Sequence, residues 1–166
     1  MEYIYLYTSP LGEITLTSDG SALIGLLFDR QGYFDENVSA NLVEKRLPIF
    51  EETIKLLDVY FNGYIPDFTP KITIKTTEFR KTVWEILLTI PYGKTMTYGE
   101  IAKIMAERKG LTKMSAQAVG GAVGHNPIAL IIPCHRVIGA NGNLAGYGGG
   151  LDRKKFLLNL EKAIIS

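Results

Sequence analysis

The chain of 166 residues has one cysteine, Cys134, and only two histidines, His125 and His135. A single cysteine excludes an internal disulfide, so a reducing cytoplasmic setting is expected. So small a stock of soft ligands argues against a zinc site. No apolar run approaches the ~18 residues that a membrane span requires. The start, Met1-Glu2-Tyr3-Ile4-Tyr5, has neither the basic residues nor the apolar stretch of a signal peptide, and none is expected. With 46% hydrophobic and 21% charged residues, the chain suits a globular protein of one large or two small domains.

The near-neutral charge of +1 conceals a second imbalance. Residues 1–70 carry four basic side chains against eleven acidic ones, and residues 71–166 carry fourteen against six. If the protein meets a polyanion such as DNA, the second part is the one to do so. A solvated basic surface explains the same excess without a partner.

The first part is strand-like over residues 3–8, 13–18 and 22–28, with Ser9-Pro10-Leu11-Gly12 and Asp19-Gly20 as turns between them, which predicts a β-meander. Residues 31–37 read as a polar loop. Residues 50–61 form a helix with Phe50, Ile54, Leu57 and Phe61 on one face, ended by Gly63. Ile65-Pro66-Asp67-Phe68-Thr69-Pro70 is an extended connection, and the domain boundary falls at residues 63–77. The expected domains are residues 1–70 and 71–166.

The second part is mostly helical. Residues 78–90 present Phe79, Val83, Ile86, Leu87 and Ile90 as a core face, with Trp84 beside it. Pro91-Tyr92-Gly93 ends that helix. Thr97-Tyr98-Gly99-Glu100 is a capping-box pattern opening a helix to about residue 107, and Ser115 caps another reaching about residue 124. Two short helices joined by a turn outline a helix-turn-helix. The second helix is Ala116-Gln117-Ala118-Val119-Gly120-Gly121-Ala122-Val123-Gly124. Glycine costs about 1 kcal/mol relative to alanine inside a helix, so two adjacent glycines need a reason. Small side chains permit either tight helix packing or close approach to a DNA groove.

Ile131-Ile132-Pro133-Cys134-His135-Arg136-Val137-Ile138 reads as a short buried strand ending at Pro133, with Cys134 on the following turn. A thiolate is a strong nucleophile, and neighbouring positive groups lower a thiol's pKa. Free cysteine is also a common buried residue, and the Cys-His pair taken alone favours that inert reading. Asn141-Gly142 signals a tight turn. Gly146-Tyr147-Gly148-Gly149-Gly150 suits a flexible linker or a backbone wall beside a ligand. A last helix over residues 152–162 points Phe156, Leu157 and Leu160 inward. Glu161, at its dipole-disfavoured end, is either solvated or buried for a purpose.

Taken in order, Thr97-Tyr98, Ala118-Val119-Gly120-Gly121-Ala122, Asn126-Pro127, Pro133-Cys134-His135-Arg136-Val137 and Gly146-Tyr147-Gly148-Gly149-Gly150 resemble the O6-alkylguanine-DNA alkyltransferases. The resemblance is strong from residue 79 to 161, whereas residues 1–70 match only in size and element order. It implies an α+β fold: a ribonuclease H-like supporting domain with a small sheet and a helix, then a winged helix-turn-helix domain. It implies direct-reversal DNA repair, in which Cys134 irreversibly takes an alkyl group from O6 of guanine, once per molecule. No metal or organic cofactor takes part.

The resemblance further implies that His135 takes the thiol proton through a water, that Glu161 orients His135, that Asn126 holds the cysteine turn and that Tyr98 protonates the departing guanine. Val123, Val137, Tyr147, Gly148 and Lys154 would line the base pocket. Ser115, Ala116, Gln117, Ala118, Gly120 and Arg136 would meet double-stranded DNA through the minor groove, with the damaged base flipped out. A cytoplasmic monomer is expected. A non-enzymatic sensor of alkylated DNA is the alternative, although relatives of that kind lack the cysteine. A zinc-dependent regulator would need further cysteines, and a cysteine hydrolase would turn over without DNA.

Two positions depart from the family pattern. Gln117 stands where many members carry an arginine that fills the space of the flipped base. Gln117→Ala is expected to slow repair of an O6-methylguanine oligonucleotide, and a parent-like rate would remove Gln117 from that role. Gly148 replaces a serine found in some relatives. More room for larger groups is expected there, measured as the rate with O6-benzylguanine relative to O6-methylguanine.

Overall fold

The computed structural model describes residues 2–29, 42–144 and 146–162. The loop expected at residues 31–37 lies outside the described residues. The chain divides into two compact units, one of Met1–Lys75 with Pro127–Ala129 and the other of Thr76–Asn126 with Leu130–Ser166.

The first unit opens with the predicted meander: β1 (Tyr3–Ser9), β2 (Gly12–Ser18) and β3 (Leu23–Phe28), paired antiparallel in sequence. The alternation Ile14, Leu16, Ser18 puts one face of β2 inside. A two-residue strand, β4 (Val43–Glu44), pairs parallel to β1 and completes the sheet order β3-β2-β1-β4. β4 is not legible in the sequence, since two exposed residues carry no periodicity.

Helix α1 (Pro48–Phe61) begins with proline in its first turn, where the missing N–H costs nothing. It buries Ile49, Phe50, Leu56, Leu57 and Tyr60, and Phe50 meets Tyr5 of the sheet with ring centroids 6.1 Å apart. The outer edge of β3 is not left bare. Leu23 exchanges backbone bonds with Lys71 and Thr73, and Leu26 with Pro127 and Ala129. Those short pairings satisfy an edge that would otherwise invite another strand. Gly25 is needed there because a Cβ would lie 2.3 Å from Thr17 Oγ1.

In the second unit, α2 (Glu78–Leu87) is capped by Thr77 and buries Val83, Trp84, Ile86 and Leu87. Its residue Phe79 is only half-buried, while Ile90 beyond its end is fully enclosed. Strand β5 (Met96–Thr97) leads directly into α3 (Tyr98–Arg108). Thr97 and Glu100 form the expected capping box, satisfying two backbone donors at that end. After a turn, Ser115 accepts from the Ala118 N–H and starts α4 (Ala116–Gly124). The α3–turn–α4 pair is the helix-turn-helix outlined by the sequence. Val119, Ala122 and Val123 face inward, and the Trp84 indole donates to the Ala122 carbonyl at 2.9 Å.

The expected strand before Pro133 is absent. Leu130 adopts φ 70, which turns the chain, and Ile132 falls in a bend. Pro133, at φ −80 and ψ 64, centres an inverse γ-turn in which Cys134 N–H bonds the Ile132 carbonyl at 2.8 Å. Apolar composition foretold burial here, but periodicity in so short a run does not define a strand. Cys134, His135 and Arg136 form one 3-10 turn, followed by β6 (Val137–Ile138), which pairs parallel with β5. Asn141 and Gly142, with φ of 63 and 79, make the expected tight turn.

Helix α5 (Leu151–Leu160) differs from expectation in its inward face. It buries Arg153, Lys154, Leu157 and Leu158, whereas Phe156 is 39% exposed and Leu160 half-buried. Lys154 occupies the inner stripe because its ammonium finds carbonyl partners inside. A hydrophobicity pattern scores that residue as polar and turns the helix the wrong way. No helix among the described residues is long and apolar enough to cross a membrane.

Candidate active site

The short β5–β6 pairing sets the frame. Met96 pairs with Val137 and Thr97 with Ile138, so the start of α3 lies beside the segment that follows Cys134. Tyr98 is thereby brought near the thiol. Burial, and next the charge of Cys134, push its phenol pKa upward, so it remains a hydrogen-bond donor. Gly120 of α4 faces the Tyr98 ring, where a Cβ would sit in ordinary van der Waals contact at 3.8 Å.

Cys134 is buried, and burial pushes its thiol pKa up. Hydrogen bonds from Asn126 and Tyr147 and the charge of Lys154 favour the thiolate without outweighing burial. The adjacent histidine therefore does not produce a resting thiolate, contrary to the simplest expectation for a Cys-His pair. Desolvation of the anion is the larger effect. The Asn126 side chain also donates to the Ile132 carbonyl at 2.8 Å, fixing the residue that closes the γ-turn. Asn126 is itself 2% exposed.

His135 and Glu161 are both enclosed, with His135 Nε2 2.6 Å from Glu161 Oε2. Burial would raise the Glu161 carboxyl. Hydrogen bonds and charge from His135 and Arg136 outweigh it and hold the group well below the usual carboxylate range. An ionised carboxylate can only accept, so Nε2 carries a proton. Burial also lowers the His135 pKa; Glu161 opposes this, while Arg136 and Lys154 add to it. The ring is thus neutral at physiological pH, and Nδ1 is its basic nitrogen.

Lys154 is fully enclosed and donates to the carbonyls of Leu144 and Gly146, tethering the glycine-rich segment. Burial pushes its pKa down to about 8, with the nearby Cys134 working the other way. Tyr147 is half-buried and its carbonyl accepts from Gly150 at 3.0 Å, whereas Gly148 is exposed. Val123 and Val137 are both buried, Val137 within β6. Ser115, Ala116, Gln117 and Ala118 are exposed at the start of α4, and Gly120 is half-buried.

Arg136 is not where a DNA-binding side chain was expected. Its Nε donates to Glu161 Oε1 at 2.8 Å, one terminal nitrogen to Glu161 Oε2 at 3.2 Å and the other to the Ile90 carbonyl at 2.8 Å. The side chain is 12% exposed. A buried carboxylate attracts the nearest fork of donors more strongly than a solvated phosphate could. Sequence reasoning also missed Gly93, whose N–H donates to Glu161 Oε1 at 3.1 Å. Its φ of 79 and a Cβ position 3.1 Å from the Glu161 carbonyl both demand glycine. Pro91-Tyr92-Gly93 had read only as the end of a helix.

These elements coincide with a known family. Residues 3–74 match the model described as 6-O-methylguanine DNA methyltransferase, ribonuclease-like domain, and residues 78–163 match the DNA binding domain of the same enzymes. The methylated-DNA–protein-cysteine methyltransferase of Mycobacterium tuberculosis is 44% identical over 155 residues, covering 93% of this chain and 89% of its own. The corresponding protein of Methanosarcina acetivorans is 45% identical and covers 96% and 97%. The solved Mycobacterium tuberculosis OGT in complex with DNA superposes with a TM-score of 0.83 at 43% identity, covering 96% of this chain and 92% of that one. An O6-methylguanine DNA methyltransferase of Methanococcus jannaschii gives 0.67 at 31% identity, covering 98% and 95%. The chain belongs to the 6-O-methylguanine DNA methyltransferase family.

The buried pair makes stability fall on acidification in two stages. His135 is held below its ordinary value, so below a pH of about 6.5 the unfolded chain binds a proton that the folded one resists. Glu161 is also depressed. Its contribution is present above its unfolded value of about 4.3 and is lost as pH falls further. The urea midpoint should therefore drop between pH 7.5 and 5.5 and again below pH 4, and Glu161→Gln should remove the second stage.

Proposed function

We propose that this protein repairs DNA by direct reversal, moving an alkyl group from O6 of a flipped guanine onto Cys134 in a single turnover. The observation that carries this reading is the buried Cys134 thiol next to an enclosed His135 whose Nε2 lies 2.6 Å from Glu161 Oε2, a burial that favours the protonated thiol and the neutral imidazole. Such a thiol is inert until a base takes its proton, and the base is adjacent.

In this reading a bridging water passes the Cys134 proton to His135 Nδ1 as the sulfur attacks the alkyl carbon. The S–C bond forms, the C–O6 bond breaks, and the electron pair of that bond leaves on guanine. Tyr98, kept protonated by its surroundings, supplies a proton to the departing base, which leaves more easily neutral than as an anion. The proton gained by His135 balances the one given by Tyr98, so the protein ends at its starting charge. A thioether has no easy way back, and each molecule acts once.

Residues 71–166 serve as the DNA-binding and acceptor domain, with residues 1–70 in support. The exposed small residues Ser115, Ala116 and Ala118 suit a narrow minor groove, and Gln117 is exposed in the first turn of α4, available to replace the extruded base. Val123, Tyr147, Gly148 and Lys154 border the space for that base. Contacts of this kind favour double-stranded DNA with little sequence preference. The acceptor acts as a monomer in the cytoplasm, on O6-alkylguanine.

The test is intact mass after incubation with an oligonucleotide containing O6-methylguanine. One gain of about 14 Da per chain, the CH2 increment of a methylated nucleophile, is expected and should vanish in Cys134→Ser. Tight binding without that gain would instead assign a sensor of alkylated DNA, and turnover without DNA a hydrolase.

A further inference from the structure

Arg136 lies one residue beyond the base, yet its guanidinium does not reach outward. It grips both oxygens of Glu161, the carboxylate that holds His135, and is pinned in turn by the Ile90 carbonyl. The Tyr92 ring covers the guanidinium, with its carbon 5.8 Å from the ring centroid. A base-orienting carboxylate would need only its bond to the imidazole. The second, bidentate partner requires a reason of its own.

The reason lies in charge. A lone buried carboxylate 2.6 Å from an imidazole would favour imidazolium, and a protonated histidine cannot take a proton from a thiol. Adding a guanidinium on the same carboxylate makes the Arg136–Glu161 pair neutral. The imidazole then remains a base.

We propose that Arg136 is a positioning residue whose positive charge, held against Glu161, keeps His135 neutral as the base for Cys134. This rests on the reading of Cys134 as the alkyl acceptor. The charged and titratable groups around His135 are Glu161 and Lys154 from the α5 segment and Arg136 and Cys134 from its own turn. Tyr92 faces Glu161 and Arg136 from the loop after α2. Among them, Glu161 alone favours imidazolium, and Arg136 is the cation in contact with it.

The experiment follows the ring nitrogens of His135 by 15N NMR between pH 5 and 9 in the parent, Arg136→Met and Arg136→Lys. Transfer from the O6-methylguanine oligonucleotide is timed in parallel. In Arg136→Met the His135 protonation midpoint should rise by about one pH unit or more, and the pH below which transfer slows should move up by the same interval, one unit being a factor of ten in proton activity. Arg136→Lys, which keeps the charge but not the fork, should restore the parent midpoint.

An unmoved midpoint in Arg136→Met would overturn the proposal, as would an equal rise in both variants. If Arg136→Met does not fold, Arg136→Gln, which removes the charge but keeps a donor, takes its place beside Arg136→Lys: a midpoint raised in Arg136→Gln alone supports the charge role, and one unmoved in both overturns it. The NMR titration needs neither DNA nor transfer. A parent protein that never accepts a methyl group would therefore refute the acceptor function while leaving the Arg136 result to stand or fall separately.

Discussion

The buried carboxylate of Glu161 is the point on which the site depends. It accepts from His135, twice from Arg136 and from the Gly93 backbone, joining the end of α5, the cysteine turn and the loop after α2. Removing a carboxylate from water costs several kcal/mol unless its lone pairs are satisfied. Here the four bonds meet that cost, all of them strengthened by the ionised acceptor and the two from Arg136 charged at both ends. The same bonds decide which imidazole nitrogen holds a proton, so a structural requirement and a chemical one have a single solution.

Desolvation has opposite consequences at the two neighbouring residues. At Cys134 it withholds the thiolate, so the thiol is a weak nucleophile until a base takes its proton. At His135 it withholds the imidazolium, which keeps a base ready. A solvated Cys-His pair could not satisfy both conditions, because proximity in water favours the ion pair. Burial and the neutral Arg136–Glu161 unit together separate this site from cysteine enzymes that rely on a standing thiolate. The α4 surface complements that arrangement: its outer residues are small, and its inner ones are held by Trp84.

Much of the scaffold was legible in local sequence. Thr97 and Glu100 announce the capping box, Ser115 announces α4, and the strand–turn alternation announces the meander, because each signal is contained within one turn or hairpin. Cys134, His135, Asn126 and Glu161 could be named from motif and resemblance. Other features were hidden for identifiable reasons. β4 is too short to have a period, and the γ-turn at Pro133 hides in a run whose apolarity fits a strand equally well. Lys154 faces inward against its polarity, which left Phe156 at the surface.

The sequence by itself determined the meander, the main helices, the caps of α3 and α4 and the position of the one cysteine, since those follow from neighbours a few residues apart. Only the tertiary structure decided what charge each group carries. The thiol is protonated because the surrounding fold excludes water, and the same burial holds the imidazole toward its neutral form, with the Arg136 charge adding to it. Arg136 reads as a DNA contact through the family resemblance, and no acid stands within fifteen residues of it in the sequence. Its partner lies 25 residues away, and only folding brings the carboxylate within 2.8 Å.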